Sequence, residues 1–191
     1  MFKIFSEKIF NDNEVELILN QCSHFLSTDE TSEKFSLQKI RKARYGHVKN
    51  FDILQKIITS KTSDIGITSL DEDEVNFIQY ETGHFFEEHV DTLSDNSYRP
   101  FKTNESVIDE KSFLNEPRLY TMVIQLSNEN DYEGGNLIID GEYYPREKGT
   151  VIIFRSNIKH QVTEITSGKR IVFTNFLRKR HTNFFDKPSL F

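Results

Sequence analysis

The strongest constraint on this chain lies beyond about residue 70, where short apolar runs alternate with glycine-containing turns. Residues 75–80, 120–126, 136–140, 150–154 and 170–177 are brief and rich in β-branched and aromatic side chains, as strands are. Gly134-Gly135, Asp140-Gly141, Lys148-Gly149 and Ser167-Gly168 punctuate them. Many short strands joined by such turns predict a β-sandwich or barrel. The first part of the chain reads differently. Val15, Ile18, Leu19, Cys22, Phe25 and Leu26 fall at helical spacing and predict a helix over residues 13–27, with Asn13 and Glu16 as its capping box. Phe51, Leu54, Ile57 and Ile58 predict a second helix capped by Asn50. The expectation is one domain over residues 1–191, with helical support from 1–70 and a β core from 71–180.

Composition narrows the class. Apolar residues make up 36% of the 191 and charged residues 28%, which suits a folded globular chain and not wholesale disorder. With 17 Phe and no Trp, the core must be built on Phe and aliphatic side chains. The net charge of −6 argues against a nucleic-acid partner, since such proteins display basic surfaces. The one dense basic run, Arg178-Lys179-Arg180, reads as a solvated end, and Asp71-Glu72-Asp73-Glu74 as an exposed turn. Cys22 is the single cysteine, so no internal disulfide can form, and it reads as a small buried side chain. The N-terminal stretch is too charged for a signal peptide, and no apolar run can span a bilayer, so a cytoplasmic protein without a membrane partner is expected.

Two contexts single out histidines. In Tyr80-Glu-Thr-Gly83-His-Phe-Phe-Glu-Glu-His89-Val-Asp91, residues two apart in an extended segment share a side, so His89 and Asp91 present an imidazole and a carboxylate together. These are two of the three ligands of the 2-His-1-carboxylate triad that holds Fe(II) and leaves positions open. The second context is His160 with Arg170 ten residues on. A turn at Ser167-Gly168 would set their strands side by side and bring a guanidinium near the metal but outside its ligands. Arg grips a carboxylate through two parallel hydrogen bonds and so suits the far end of a dicarboxylic cosubstrate. Elsewhere the plain reading is preferred. Glu87 and Glu88 form a solvated edge, His84 would face away from His89, and Gly134-Gly135 is a turn or bulge and not a phosphate loop. Residues 92–118, with Tyr98, Arg99, Pro100 and Phe101 at their centre, are polar and aperiodic. They form either a functional loop that orders over substrate or a simple insertion.

Taken together, these pieces resemble the prolyl-4-hydroxylase-like branch of the Fe(II)/2-oxoglutarate dioxygenases. The resemblance runs from about Val75 to Arg178. It rests on Tyr80-x-x-Gly83, His89-x-Asp91, Arg118-Leu-Tyr-Thr121, Tyr132-Glu-Gly-Gly-Asn-Leu137, Lys148-Gly-Thr-Val-Ile-Ile-Phe154, and His160 through Gly168-x-Arg170. The stretch from Leu126 to Asn136 is especially similar to small microbial and phage hydroxylase-like members. The resemblance implies a mainly β fold, a double-stranded β-helix or jelly roll, with N-terminal supporting helices. It implies iron held by His89, Asp91 and His160, the distal carboxylate of 2-oxoglutarate on Arg170, and Tyr80 beside the cosubstrate. It also implies dioxygen as co-reactant, with ascorbate as a candidate addition. The reaction implied is oxidative decarboxylation of 2-oxoglutarate coupled to hydroxylation of an unactivated C–H bond. Asp91 favours that outcome over halogenation, for which related enzymes replace the carboxylate by a small residue.

Two positions depart from the pattern. Relatives often carry Tyr four residues after the strand Thr, where this chain has Gln125, and Trp where it has Phe176. The first departure weakens a specific prolyl hydroxylase assignment and leaves Gln125 as a candidate hydrogen-bond partner of the cosubstrate. The substrate is then a peptidyl proline or another protein side chain. The alternatives are an oxygenase acting on a small molecule or nucleobase, and a non-catalytic jelly-roll module that binds metal or carbohydrate. The four-residue set of His89, Asp91, His160 and Arg170 argues against the module, which has no need of all four.

Overall fold

The computed structural model describes residues 4–26, 40–91 and 118–183. The segment 92–118 singled out above, with Tyr98 to Phe101, lies outside the described residues except for Arg118. The strands are β1 (Phe5–Lys8), β2 (Cys22–Phe25), β3 (Arg41–Lys42), β4 (Arg44–Val48), β5 (Val75–Glu81), β6 (Phe85–His89) and β7 (Tyr120–Gln125). They continue with β8 (Tyr132–Gly134), β9 (Leu137–Ile139), β10 (Glu142–Tyr143), β11 (Thr150–Arg155), β12 (His160–Val162) and β13 (Ile165–Leu177). Two helices, α1 (Asp12–Leu19) and α2 (Phe51–Thr62), complete the described elements beside short 3-10 turns. All the strand pairs are antiparallel and form two sheets. The larger runs β1-β11-β7-β13-β5-β4-β2, with β8 beside β13, and the smaller runs β10-β9-β12-β6-β3. This is the mainly β, two-sheet architecture that the strand pattern predicts and the jelly roll that the resemblance implies. No helix among the described residues is long and apolar enough to cross a membrane.

The larger sheet is buried on both faces, and strand alternation divides its side chains between two cores. Phe77, Met122, Ile124, Val151, Ile153, Phe173 and Leu177 point to one face, where they pack with Val15 and Ile18 of α1 and Leu54 and Ile58 of α2. Ile78, Tyr80, Val123, Ile152, Phe154 and Val172 point to the other, against Leu137, Ile139 and Val162 of the smaller sheet. Burial on both sides explains why β7 and β11 carry apolar residues at successive positions, Met122 to Ile124 and Val151 to Phe154, instead of at alternate ones.

Several expectations are corrected. The first helix ends at Leu19, and Cys22 to Phe25 pair with β4 as a strand. Its capping box is Asn11 with Glu14, two residues before the expected pair. Both pairs satisfy the same sequence pattern; the earlier start turns Val15 and Ile18 inward and lets Glu14 meet Lys61 at 2.7 Å. α2 and its Asn50 cap form as expected, with Asn50 Oδ1 accepting from the Ile53 amide at 3.2 Å. Residues before 70 are not only helical support: β1, β2, β3 and β4 extend both sheets. Ser167-Gly168 is no turn between strands. It lies inside β13, where Gly168 adopts a left-handed φ of 78° opposite Tyr132 of β8. Asp71, Glu74 and Arg178 are buried, contrary to the exposed reading of both charge runs. Arg178 Nε donates to Asp71 Oδ2 at 2.7 Å, and its Nη2 to Glu74 Oε1 at 3.0 Å. His84 is buried in the turn before β6 rather than placed on a strand face.

Two glycines separate backbone strain from crowding. Both Gly141 and Gly149 have left-handed φ. A Cβ at Gly141, in the two-residue turn joining β9 to β10, meets nothing within 4 Å, whereas one at Gly149 would meet the Phe10 carbonyl oxygen at 1.9 Å. Gly141→Ala should therefore cost about 1–2 kcal/mol from the left-handed backbone alone. Gly149→Ala should cost clearly more, because Phe10 is buried and its backbone accepts no simple shift. Chemical denaturation of the two variants checks this ordering, and equal midpoints would contradict it.

Candidate active site

His89 closes β6 and His160 opens β12, and the antiparallel register sets them directly opposite one another. Asp91 follows two residues on, held by its amide donating to the Ser156 carbonyl at 2.8 Å. His89 Nε2 lies 3.5 Å from Asp91 Oδ1, and His160 Nε2 lies 3.1 Å from Asp91 Oδ2. One ligand atom from each of the three residues fits within a 4.8 Å span, a group able to hold a metal ion.

The imidazoles are oriented for that task. His89 Nδ1 contacts the Glu87 carbonyl at 2.7 Å and His160 Nδ1 the Ile158 carbonyl at 2.9 Å. A carbonyl only accepts, so each Nδ1 carries a hydrogen and each Nε2 is the nitrogen turned toward Asp91, able to bind a metal once it carries no proton of its own. His89 Nε2 is enclosed and has no hydrogen-bond partner, an arrangement that makes sense for a metal ligand. Phe86 stacks on the His89 ring at 3.5 Å and Phe154 meets His160 edge-on at 4.7 Å, which fixes both planes. Asp91 is fixed as well. Thr121 Oγ1 donates to Asp91 Oδ2 at 2.7 Å and is backed by Ser156 Oγ at 3.1 Å. Arg118 donates to the Asp91 main-chain carbonyl at 3.1 Å while its guanidinium is gripped by Glu74 at 2.8–3.0 Å. Such outer partners of metal-binding side chains hold them in place and tune their basicity.

Burial pushes Asp91 up, but the imidazoles of His160 and His89 outweigh it and hold its carboxyl well below the usual range. Burial likewise pushes His160 down, yet Asp91 leaves it above the ordinary imidazole value. His89 ends below that value because desolvation exceeds its gain from Asp91.

The triad opens into a cavity of about 350 Å³ between the sheets. Ile78, Val123, Leu137, Val162 and Val172 line its apolar part. Arg170 enters from β13, in register with Tyr80 of β5, and is 1% exposed. Its Nη2 donates to Gln125 Oε1 at 3.2 Å, and its Cζ lies 5.5 Å from the centre of the Tyr80 ring. Nε and Nη1 have no hydrogen-bond partner. A buried guanidinium with two unanswered donors is costly unless an anion completes it. Thus His89, Asp91, His160, Arg170 and Tyr80 line one cavity, and Gln125 stands behind Arg170. Arg170 reaches the cavity from the sheet opposite to His160 and not from a neighbouring strand, because the turn before β13 crosses between the sheets.

Sequence reasoning missed four contributors. Thr121, Arg118 and Ser156 act on Asp91, and Arg41 of β3 also lines the cavity. Thr121 had a local signal, since it alternates with Val123 and Gln125 on one strand face. Arg41 had none, because it reaches Phe86 and the cavity only through the pairing of β3 with β6.

A model of the 2OG-Fe(II) oxygenase superfamily matches residues 75–178, more than half of the chain. The chain belongs to that superfamily. Among similar proteins, a PKHD-type hydroxylase of Picosynechococcus sp. is 30% identical over 106 residues, covering 53% of this chain and 40% of the relative. One from Acinetobacter baumannii is 36% identical over 103 residues, covering 50% of this chain and 38% of the relative. The chain thus matches about two-fifths of the length of these relatives. The fold is similar to the viral collagen prolyl hydroxylase of Paramecium bursaria Chlorella virus-1, solved with 2OG. That match has a TM-score of 0.61 at 17% identity and covers 92% of this chain and 95% of the other. A Pseudomonas putida prolyl-4-hydroxylase gives 0.55 at 18% identity, covering 94% of each chain. These structures bear out the jelly-roll fold.

The pKa shifts give a testable sign. A metal must displace the proton that Asp91 holds on His160. Metal affinity should therefore climb up to about tenfold per pH unit below the His160 value, which lies above the ordinary imidazole value of about 6.5, and level off above it. Affinity that is flat from about pH 6 to 8 would contradict this. In the metal-free protein the raised His160 contributes stability that is fully present below about pH 6.5 and lost as pH rises through its folded value. The lowered Asp91 contributes stability present above about pH 4 and lost as pH falls.

Proposed function

We propose that this chain is an Fe(II)- and 2-oxoglutarate-dependent dioxygenase that hydroxylates an unactivated C–H bond, with a protein side chain such as a peptidyl proline as the first substrate class to test. The observation that carries the reading is the company Arg170 keeps. A buried cation with two free donors shares an apolar-walled cavity with two imidazoles and a carboxylate able to hold a metal. A binding module needs a metal site or an anion site, whereas this chemistry needs both a short distance apart.

In this reading His89 Nε2, His160 Nε2 and one Asp91 oxygen hold Fe(II), and Arg170 holds the distal carboxylate of 2-oxoglutarate with Nε and Nη1. Bound together, iron and cosubstrate supply the oxidising power by which 2-oxoglutarate, dioxygen and a C–H substrate become succinate, carbon dioxide and an alcohol. The protein contributes position. The Glu87 and Ile158 carbonyls hold a hydrogen on each Nδ1 and so turn both Nε2 atoms inward. Thr121 occupies one lone pair of Asp91 and so limits how the carboxylate can turn. Gln125 holds Arg170 from behind, with its own Nε2 donating to the Pro145 carbonyl at 3.1 Å. Tyr80 covers the guanidinium, and Val123, Leu137 and Val162 keep bulk water from the reacting centre. Dioxygen is the co-reactant; ascorbate, where it acts, does so as an ancillary reductant. The prolyl hydroxylase names of the structural neighbours and the hydroxylase names of the curated relatives support testing peptidyl substrates first.

The experiment measures binding and turnover in three proteins. Wild type should convert 2-oxoglutarate to succinate only with Fe(II) and oxygen. Arg170→Ala should lose at least tenfold in 2-oxoglutarate affinity, as expected when a charged hydrogen-bonding partner is removed, and keep its metal affinity nearly intact. His160→Ala should lose metal affinity itself. Arg170→Ala losing metal as completely as His160→Ala would overturn these roles.

A further inference from the structure

Charge in the cavity does not balance once the proposed cofactors are counted, and the imbalance lies at Arg41. In the reading above, the two positive charges of Fe(II) and the one of Arg170 match the two negative charges of 2-oxoglutarate and the one of Asp91. The rim is neutral too. Glu74, the other carboxylate lining the cavity, is fully engaged by Arg118 and Arg178, and Arg178 also binds Asp71. Arg41 remains. It lines the cavity, its Nε is enclosed without a hydrogen-bond partner, and the carboxylate that acts on it through space is Asp91, already counted against the iron.

Its setting looks built for binding. β3 pairs with β6 so that Arg41 stands in register with Phe86. The guanidinium carbon lies 4.5 Å from the centre of the Phe86 ring and 4.5 Å from that of Tyr45. Aromatic faces stabilise the cation but accept no hydrogen bond in the guanidinium plane, so the N–H edge stays available. Phe86 stacks in turn on His89. An anion on Arg41 would therefore sit one aromatic ring away from a metal ligand, within reach of a molecule whose C–H bond faces the metal.

We infer that Arg41 selects the substrate of this site, and that the molecule oxidised carries a carboxylate which Arg41 binds. The inference rests on the oxygenase reading. It goes beyond it by naming the chemistry that the substrate must present. The carboxylate belongs either to a free acid or to an acidic side chain of a peptide, and both present the same group to the guanidinium.

The test uses the arginine Nε–H resonances of ¹⁵N-labelled protein loaded with Zn(II), a diamagnetic stand-in for iron. Loss of a peak in Arg41→Lys and in Arg170→Lys assigns the two resonances. Addition of 2-oxoglutarate should move the Arg170 peak, and that response answers for the oxygenase reading alone. Acetate is then titrated and read at the Arg41 peak, whether or not Arg170 responded. A saturable shift with acetate, at least tenfold weaker with acetamide, supports the inference. No shift at Arg41, or equal shifts with both probes, overturns it. So does a 2-oxoglutarate response at Arg41 in place of Arg170, because Arg41 would then serve the cosubstrate. N-acetylproline and N-acetyl-glutamyl-prolinamide separate the two sources: tighter binding of the first assigns a free acid, of the second an acidic peptide. Arg41→Gln should abolish the preference for acid over amide while the Arg170 peak still responds to 2-oxoglutarate, which excludes a folding defect.

Discussion

The site depends on one cross-strand register, the pairing of His160 with His89 between β12 and β6. Side chains alternate along a strand, so a slip of one residue would turn an imidazole away from the cavity. With the register set, the two rings lie 4.2 Å apart between centres, and Asp91 arrives two residues beyond His89 on the same side. The backbone bond from Asp91 to Ser156 ties the end of β6 to the loop that leads into β12. The group proposed to hold the metal is thus a property of two short strands in the smaller sheet and the residues just beyond β6. The larger sheet supplies what surrounds it: Thr121 on Asp91, Arg170 and Tyr80 at the deep end, and Arg118 at the rim.

The larger sheet can hold that position because it is packed on both faces. Phe77 and Phe173 meet edge-on at 5.6 Å over the helices, while their strand neighbours Ile78 and Val172 face the cavity. Near the rim, Asp71, Arg178, Glu74 and Arg118 form a buried charge chain that joins the end of β13 to the carbonyl of Asp91. Asn175 brackets Asp71 through both its amide and its carbonyl. Buried charges of this kind are tolerated only when each is answered, so loss of one member would expose the others to an unpaired burial cost. The chain links the backbone that carries a proposed iron ligand to the end of the sheet core.

Much of this was legible in the sequence where the signal was local. Residues 120–126 and 150–154 are short and rich in β-branched and aromatic side chains, and they form the central strands β7 and β11. Asn50 and the spacing of Phe51, Leu54 and Ile58 specified α2. The close spacing of His89 and Asp91, and the interval from His160 to Arg170, pointed to side chains that do share one cavity. Other features depended on distant partners. β6 and β12 are short and polar in sequence, so neither read as a strand until its neighbours were known. Cys22 to Phe25 kept helical spacing by coincidence and became a strand because β4 offered an edge. Arg178 and Asp71 stand 107 residues apart, and nothing in either charge run announces a buried pair. Arg41 is likewise defined by Phe86, a residue it meets only through the pairing of β3 with β6.

In the proposed enzyme, metal and cosubstrate occupy one cavity, the first on His89, Asp91 and His160 and the second on Arg170. Anaerobic titration of the protein with Fe(II) and then 2-oxoglutarate tests this most directly. The expected result is a weak visible metal-to-ligand charge-transfer band that needs both additions and vanishes in His160→Ala. Folded, metal-loaded protein that gives no band with 2-oxoglutarate would rule out a shared site and leave the cavity as a metal-binding site of another kind.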